Sequence, residues 1–259
     1  MEVKGMKSVI ISYIICTILF TQVQAENIRS SRDHAIHKIS LTQKTYKFTA
    51  SRFTQPLSTS IKLDVPIIRQ MPELPRGCEV TSLAMILQHN GINVGKNELA
   101  KKVKRDPTPY QVKNGQVKFG NPNRGFVGDM YSFQKPGLGV YHKPIHQLAQ
   151  VYAKDRAVDL TGKSFNVILE HVSQGVPVWV IQNSSFDRLS KKHWMKWQTQ
   201  DGPVDITYHE HSVVITGFDE HNVYINDPLT GTKHRKLNKK AFIRGWDQMG
   251  RQAIVIQKG

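Results

Sequence analysis

Apolar residues fall at helical spacing just after Cys78, where Val80, Leu83, Ala84 and Leu87 share one stripe over about residues 78–90, and Gly91 follows as a stop. The pattern predicts a helix that opens at Cys78. A second short helix is predicted over about residues 97–104, with Leu99 and Val103 facing inward and Asn97 as its cap. Residues 106–144 carry five prolines and six glycines and read as mostly irregular. A loop region of that length inside a compact domain is usually functional. Helical periodicity returns over residues 164–173, through Phe165, Ile168, Leu169 and Val172, and Gly175 can end it. Residues 176–181 read as a buried strand, followed by a polar stretch bearing Trp194 and Trp197. Two further strands, residues 212–218 and 223–225, form a predicted hairpin through 219–222. A turn at Thr230-Gly231, a helix around 238–246 and a closing strand over 253–256 complete an α+β arrangement.

The pattern before residue 61 is different. A basic start with Lys4 and Lys7, an apolar run over about residues 8–20 and the small residues of Val23-Gln24-Ala25 read as a signal peptide, residues 1–25, cleaved after Ala25. The run is shorter than the roughly 20 residues that cross a bilayer comfortably, so no stable membrane span is expected after cleavage. The expected location is therefore secreted or extracellular, in association with the cell envelope. Residues 26–60 are polar and basic and read as a linker or arm, leaving residues 61–259 as one domain large enough for a sizeable core. No internal repeat is visible.

Charge adds a partner class. The formal charge of +16 falls to +15 when two bases and one acid, Lys4, Lys7 and Glu2, leave with the signal. A protein this basic is drawn to polyanions at long range, and outside the cell an anionic wall polymer is the nearest candidate. No motif places basic and aromatic residues at a nucleic-acid-binding spacing, so nucleic acid is not an expected partner.

Cysteine usage supplies the candidate chemistry. The chain has two cysteines, and Cys16 lies in the segment expected to be removed, so Cys78 has no partner for an intramolecular disulfide. A thiol in the first turn of a helix feels the positive end of the helix dipole, and a nearby imidazolium would lower its pKa further. That combination suits nucleophilic attack on a carbonyl. The base is His211, at the head of the run His-Ser-Val-Val-Ile-Thr-Gly-Phe, and Asp227 one strand later can orient its ring, with Asn226 as the competing orienter. Gln70, upstream of the thiol, can join the Cys78 backbone N–H as an oxyanion donor. Each residue alone has an ordinary reading. An unpaired cysteine is commonly a small core residue, one histidine among eleven is weak evidence, and Asp-Pro pairs usually make turns. The order Gln, Cys, His, Asp on matching local structure is what favours catalysis.

Those stretches resemble the C39-like family of cysteine peptidases, related to bacteriocin-processing domains and to the papain-like superfamily. The resemblance is carried by Leu63-Asp-Val-Pro-Ile-Ile-Arg-Gln, Leu74-Pro-Arg-Gly-Cys-Glu-Val-Thr-Ser-Leu-Ala-Met, Gly175-Val-Pro-Val-Trp-Val, His211-Ser-Val-Val-Ile-Thr-Gly-Phe-Asp and Asn226-Asp-Pro. It implies a papain-like fold, in which an N-terminal helix carrying the nucleophile packs on an antiparallel sheet carrying the His and Asp. It also implies thiol-dependent cleavage of a peptide or protein substrate through a thioester, with Cys78 as nucleophile, His211 as base, Asp227 as orienter, Gln70 as oxyanion donor and no cofactor. The chain lacks the transporter and ATP-binding segments of the exporters, so leader removal coupled to export does not follow.

Two other function classes stay open on sequence: a catalytically silent wall-binding protein of the same fold, and an acyltransferase or cross-linking enzyme using the same residues. A zinc site is not expected, because His209 and His211, two apart on a strand, would need further ligands that no spacing supplies. Trp194 and Trp197 suit packing against a helix edge or the lining of a groove. Phe119-Gly-Asn-Pro and Gly125-Phe-Val-Gly-Asp suit a cleft rim or a plain loop.

Overall fold

A computed structural model describes residues 60–259. The expected signal peptide, and the expected arm except its last residue, lie outside the described residues. The helices are α1 (Cys78–His89), α2 (Lys96–Lys102), α3 (His142–Ala153), α4 (Phe165–Ser173) and α5 (Lys239–Gln248). The strands are β1 (Ile61–Lys62), β2 (Arg105–Asp106), β3 (Gln111–Lys113), β4 (Gln116–Lys118), β5 (Phe126–Val127), β6 (Ala157–Asp159) and β7 (Val178–Asn183), then β8 (Met195–Thr199), β9 (Gly202–Ile206), β10 (Glu210–Phe218), β11 (Asn222–Asp227), β12 (Thr232–Asn238) and β13 (Ala253–Ile256).

The main sheet is antiparallel and runs β12-β11-β10-β7-β13-β6, with β1 on the far end of β10. Its central strands read as unbroken apolar runs because both faces are covered. Trp179, Ile181, Val214, Ile254 and Ile256 pack with α1, α2 and α3, while Val178, Val180, Val213, Ile215 and Val255 pack with α4 and α5. Alternate residues thus serve two separate cores, the period-2 consequence of a pleated strand. Helix α1 is covered nearly all round for the same reason, since every residue from Cys78 to Leu87 is buried, the polar Glu79, Thr81 and Ser82 included.

Two glycine positions fit the expected stops: Gly91 (φ 76°) after α1 and Gly175 (φ 81°) after α4 both take the left-handed conformation that glycine adopts without cost. Helix α2 begins at Lys96 after Gly95, so Asn97 lies inside the helix and does not cap it. The region 106–144 is more structured than expected. It holds β3 and β4, which join β8 and β9 in a second sheet of order β3-β4-β8-β9, and β5, which pairs with β2. Trp197 therefore sits on a strand, buried with Phe119, Val127, Leu138 and Ile206, and Trp194 packs partly buried beside the main core. Packing in a strand is the role of Trp197, whereas Trp194, just ahead of β8, also lines a cavity of about 330 Å³ with Tyr141, His142 and Met249.

An extended segment from β1 to Gln70 is strapped across the sheet. Asn226 holds it, with Nδ2 donating to the carbonyls of Val65 (3.0 Å) and Pro66 (3.3 Å) and Oδ1 accepting from the His234 backbone N–H (3.1 Å). Replacing Asn226 with Ala would leave buried backbone groups without these partners. The expected loss is about 1–3 kcal/mol of stability, measured by urea unfolding.

Candidate active site

The strap, the start of α1 and the start of β10 meet at a cavity of about 220 Å³ whose lining includes Gln70, Arg76, Cys78, Tyr208, Glu210 and His211. Cys78 is the first residue of α1, as the apolar spacing predicts, and is 6% exposed. Its helix is fastened to the sheet at this end: Trp179 Nε1 donates to the Glu79 carbonyl (3.0 Å) and Ser82 Oγ donates to the Ser212 carbonyl (3.1 Å).

His211 stands at the second residue of β10, buried, with Nε2 2.9 Å from Asp227 Oδ1. That contact leaves Nδ1 as the ring nitrogen able to exchange a proton in the cavity. Asp227 ends β11. It also accepts from the Leu229 backbone N–H at Oδ1 (3.0 Å) and from Arg235 at Oδ2 (2.8 Å). Burial works to raise its pKa but is outweighed by His211, then Arg235 and Leu229, so the carboxyl is held well below its usual range. Phe186 meets the imidazole edge-on, with centroids 6.0 Å apart, and the Arg235 guanidinium lies over the Phe186 ring, 4.8 Å from its centroid. Asn226, the other candidate orienter, is turned to the strap and not to the imidazole.

Gln70 reaches the cavity from the strap. Its backbone N–H donates to Pro228 (2.9 Å), and its side-chain Nε2 donates to the Pro75 carbonyl (2.8 Å), leaving a second N–H on that nitrogen. Cys78, at the first helical position, has no intrahelical acceptor for its backbone N–H. Arg76 fixes the cavity's outer wall through the carbonyls of Asp129, Ser132 and Phe133.

The thiol's environment differs from the expected one. Burial, then Glu79, then Glu210 push the Cys78 pKa well up, against a lowering contribution from the Ser212 backbone N–H. Sequence reasoning passed over Glu79 and Glu210. The available signal was an acid in the first turn of an otherwise apolar helix and another at the head of an apolar strand. Cys78 Sγ donates to Glu79 Oε2 at 3.4 Å, and one carboxylate oxygen of each acid and Sγ all lie within 4.8 Å of one another. His209 lies outside this group; it sits in the turn before β10, 3.3 Å from Ser184 Oγ and edge-on to His193.

A profile of the Peptidase_C39 like family matches residues 62–254, and the chain belongs to that family. It is 47% identical over 213 residues to the uncharacterized protein YvpB of Bacillus subtilis (strain 168), covering 81% of this chain and 82% of that one. A crystal structure of a candidate C39-like peptidase from Bacillus anthracis matches with a TM-score of 0.72 and 46% identity, over 77% of this chain and 98% of the other. The fold is accordingly the α+β one of that family, with the cysteine-bearing helix against an antiparallel sheet.

A carboxyl whose pKa is lower in the folded state contributes stability above its unfolded value near pH 4, and loses it as pH falls toward the folded value. The stability gap between the wild type and Asp227→Asn, read by urea unfolding, is therefore expected to be larger at pH 6 than at pH 3.

Proposed function

We propose that this protein is an exported cysteine peptidase that cleaves peptide or related amide bonds at or outside the cell envelope. The observation that carries the reading is the convergence of Cys78 and His211 on one cavity, with the imidazole held from behind by Asp227. In the first step His211 Nδ1 takes the Cys78 proton as sulfur bonds to the carbonyl carbon. Charge on the carbonyl oxygen is met by the Cys78 backbone N–H and the remaining Gln70 N–H. As the C–N bond breaks, the imidazolium returns its proton to the amine, leaving a Cys78 thioester. Water, deprotonated by the same imidazole, then releases the acid and restores the thiol.

Asp227 keeps the ring oriented and stabilises the imidazolium, and Arg235 keeps Asp227 in place and ionised. Export is supported by the pattern of residues 1–25, and no helix among the described residues is long and apolar enough to cross a membrane.

Cys78→Ala is expected to abolish hydrolysis of a peptide mixture, assayed by mass spectrometry, while leaving the unfolding midpoint of the domain close to wild type. Retained turnover in that variant would overturn the reading. Asp227→Asn is expected to keep the fold and lose on the order of 10²–10⁴ in rate, by analogy with the loss of orientation when a triad carboxylate is replaced.

A further inference from the structure

Two acids stand beside the thiol. Glu79 is fully buried, and its Oε1 accepts the Val140 backbone N–H at 2.6 Å while Oε2 faces Cys78. Glu210 shares the pleat parity of Ser212 and Val214 and so comes up on the α1 side of the sheet. Its Oε1 is buried with no hydrogen-bond partner. Both acids converge beneath Gly139, where an added Cβ would lie 2.2 Å from Glu79 Oε1 and 2.8 Å from Glu210 Oε2. A side chain at this position would have to displace the carboxyl groups of the pair.

We propose that the Glu79–Glu210 carboxyl pair holds the Cys78 thiol in its protonated form in the resting protein, so that the nucleophile is released only when its proton passes to His211. The proposal rests on the reading of Cys78 as the nucleophile and adds a positioning role for two further residues. Like charges this close in a water-poor site cannot both ionise freely, so the pair retains a proton. Burial raises Glu79 to about 7 and, with Glu79 beside it, holds Glu210 well above the ordinary carboxylate range. The cluster's first negative charge therefore goes to the carboxyls, and the thiol ionises against a charge already present. The other titratable or charged groups around the cavity do not reverse this. Tyr141 is itself pushed up, by burial and then by Glu210 and Glu79, and stays neutral. Arg76 and Tyr208 stand on the cavity wall. His211 supplies the acceptor: the S–H bond breaks, an Nδ1–H bond forms, and no further reactant is needed. Outside the cell, a thiol kept protonated between turnovers is a poor target for oxidants and stray electrophiles, which react with thiolate.

The test is the rate of iodoacetamide alkylation against pH, read at the Cys78 peptide of the full chain by mass spectrometry. No substrate is involved, so the result is independent of whether peptide hydrolysis is ever found. In the wild type the midpoint is expected above the ordinary thiol value of about 8.5. Glu79→Gln, which keeps the acceptor for Val140 and removes the charge, is expected to lower that midpoint by at least one pH unit. That is about tenfold more thiolate at pH 7.5. Glu79→Gln combined with Glu210→Gln is expected to lower it further. A wild-type midpoint at or below 8.5, or a Glu79→Gln midpoint equal to or above wild type, would overturn the proposal. Should Glu79→Gln fail to fold, Glu79→Met removes the same charge at similar volume, and the same two outcomes decide.

Discussion

The site depends on how the first turn of α1 is clamped into the main sheet. A helix start carries backbone N–H groups without intrahelical partners, and it normally faces water. Here it is buried, and side chains from the sheet and the helix tie it down: Trp179 to the Glu79 carbonyl and Ser82 to the Ser212 carbonyl. That clamp fixes Cys78 at the mouth of a cavity and carries Glu79 into the interior beside it. The strap is positioned against the same place by Asn226, which brings Gln70 to the cavity from the opposite side. Cys78, His211 and Gln70, the proposed nucleophile, base and oxyanion donor, thus arrive at one cavity from three separate parts of the chain.

The electrostatics divide along the cavity. On one side, the Asp227 carboxylate stands between His211 and Arg235, within hydrogen-bond distance of both. On the other, Glu79 and Glu210 are two acids with little to compensate them, and they oppose any negative charge on sulfur. In the mechanism proposed above, a proton on Cys78 therefore has a stable resting place and, in His211 on the same cavity, its acceptor.

Much of this was legible in the residues. The helix opening at Cys78 followed from the spacing of Val80, Leu83, Ala84 and Leu87, and the closing strand over 253–256 followed from its apolar run and matches β13. The hairpin was legible in its core but not its extent, since β10 begins at Glu210 and β11 runs to Asp227, past the apolar residues that announce them. Strand β12, Thr-Lys-His-Arg-Lys-Leu-Asn, was not legible because an edge strand exposed to water needs no apolar face. Helix α3 was hidden by Pro144, which is tolerated in a first turn but reads as a breaker. The acids at the thiol were missed for a different reason. Their apolar surroundings along the chain hint at burial, and only the third dimension shows that Glu79 and Glu210 come side by side at Cys78.

The central claim is that Cys78 becomes a nucleophile through His211. It is tested most directly by exposing the full chain, as wild type and as His211→Ala, to a mixture of peptidyl vinyl sulfones and weighing the Cys78 peptide. The account predicts a covalent adduct at Cys78 in the wild type and its loss in a folded His211→Ala variant. An unmodified Cys78 in the wild type, or equal modification in the two proteins, would contradict it.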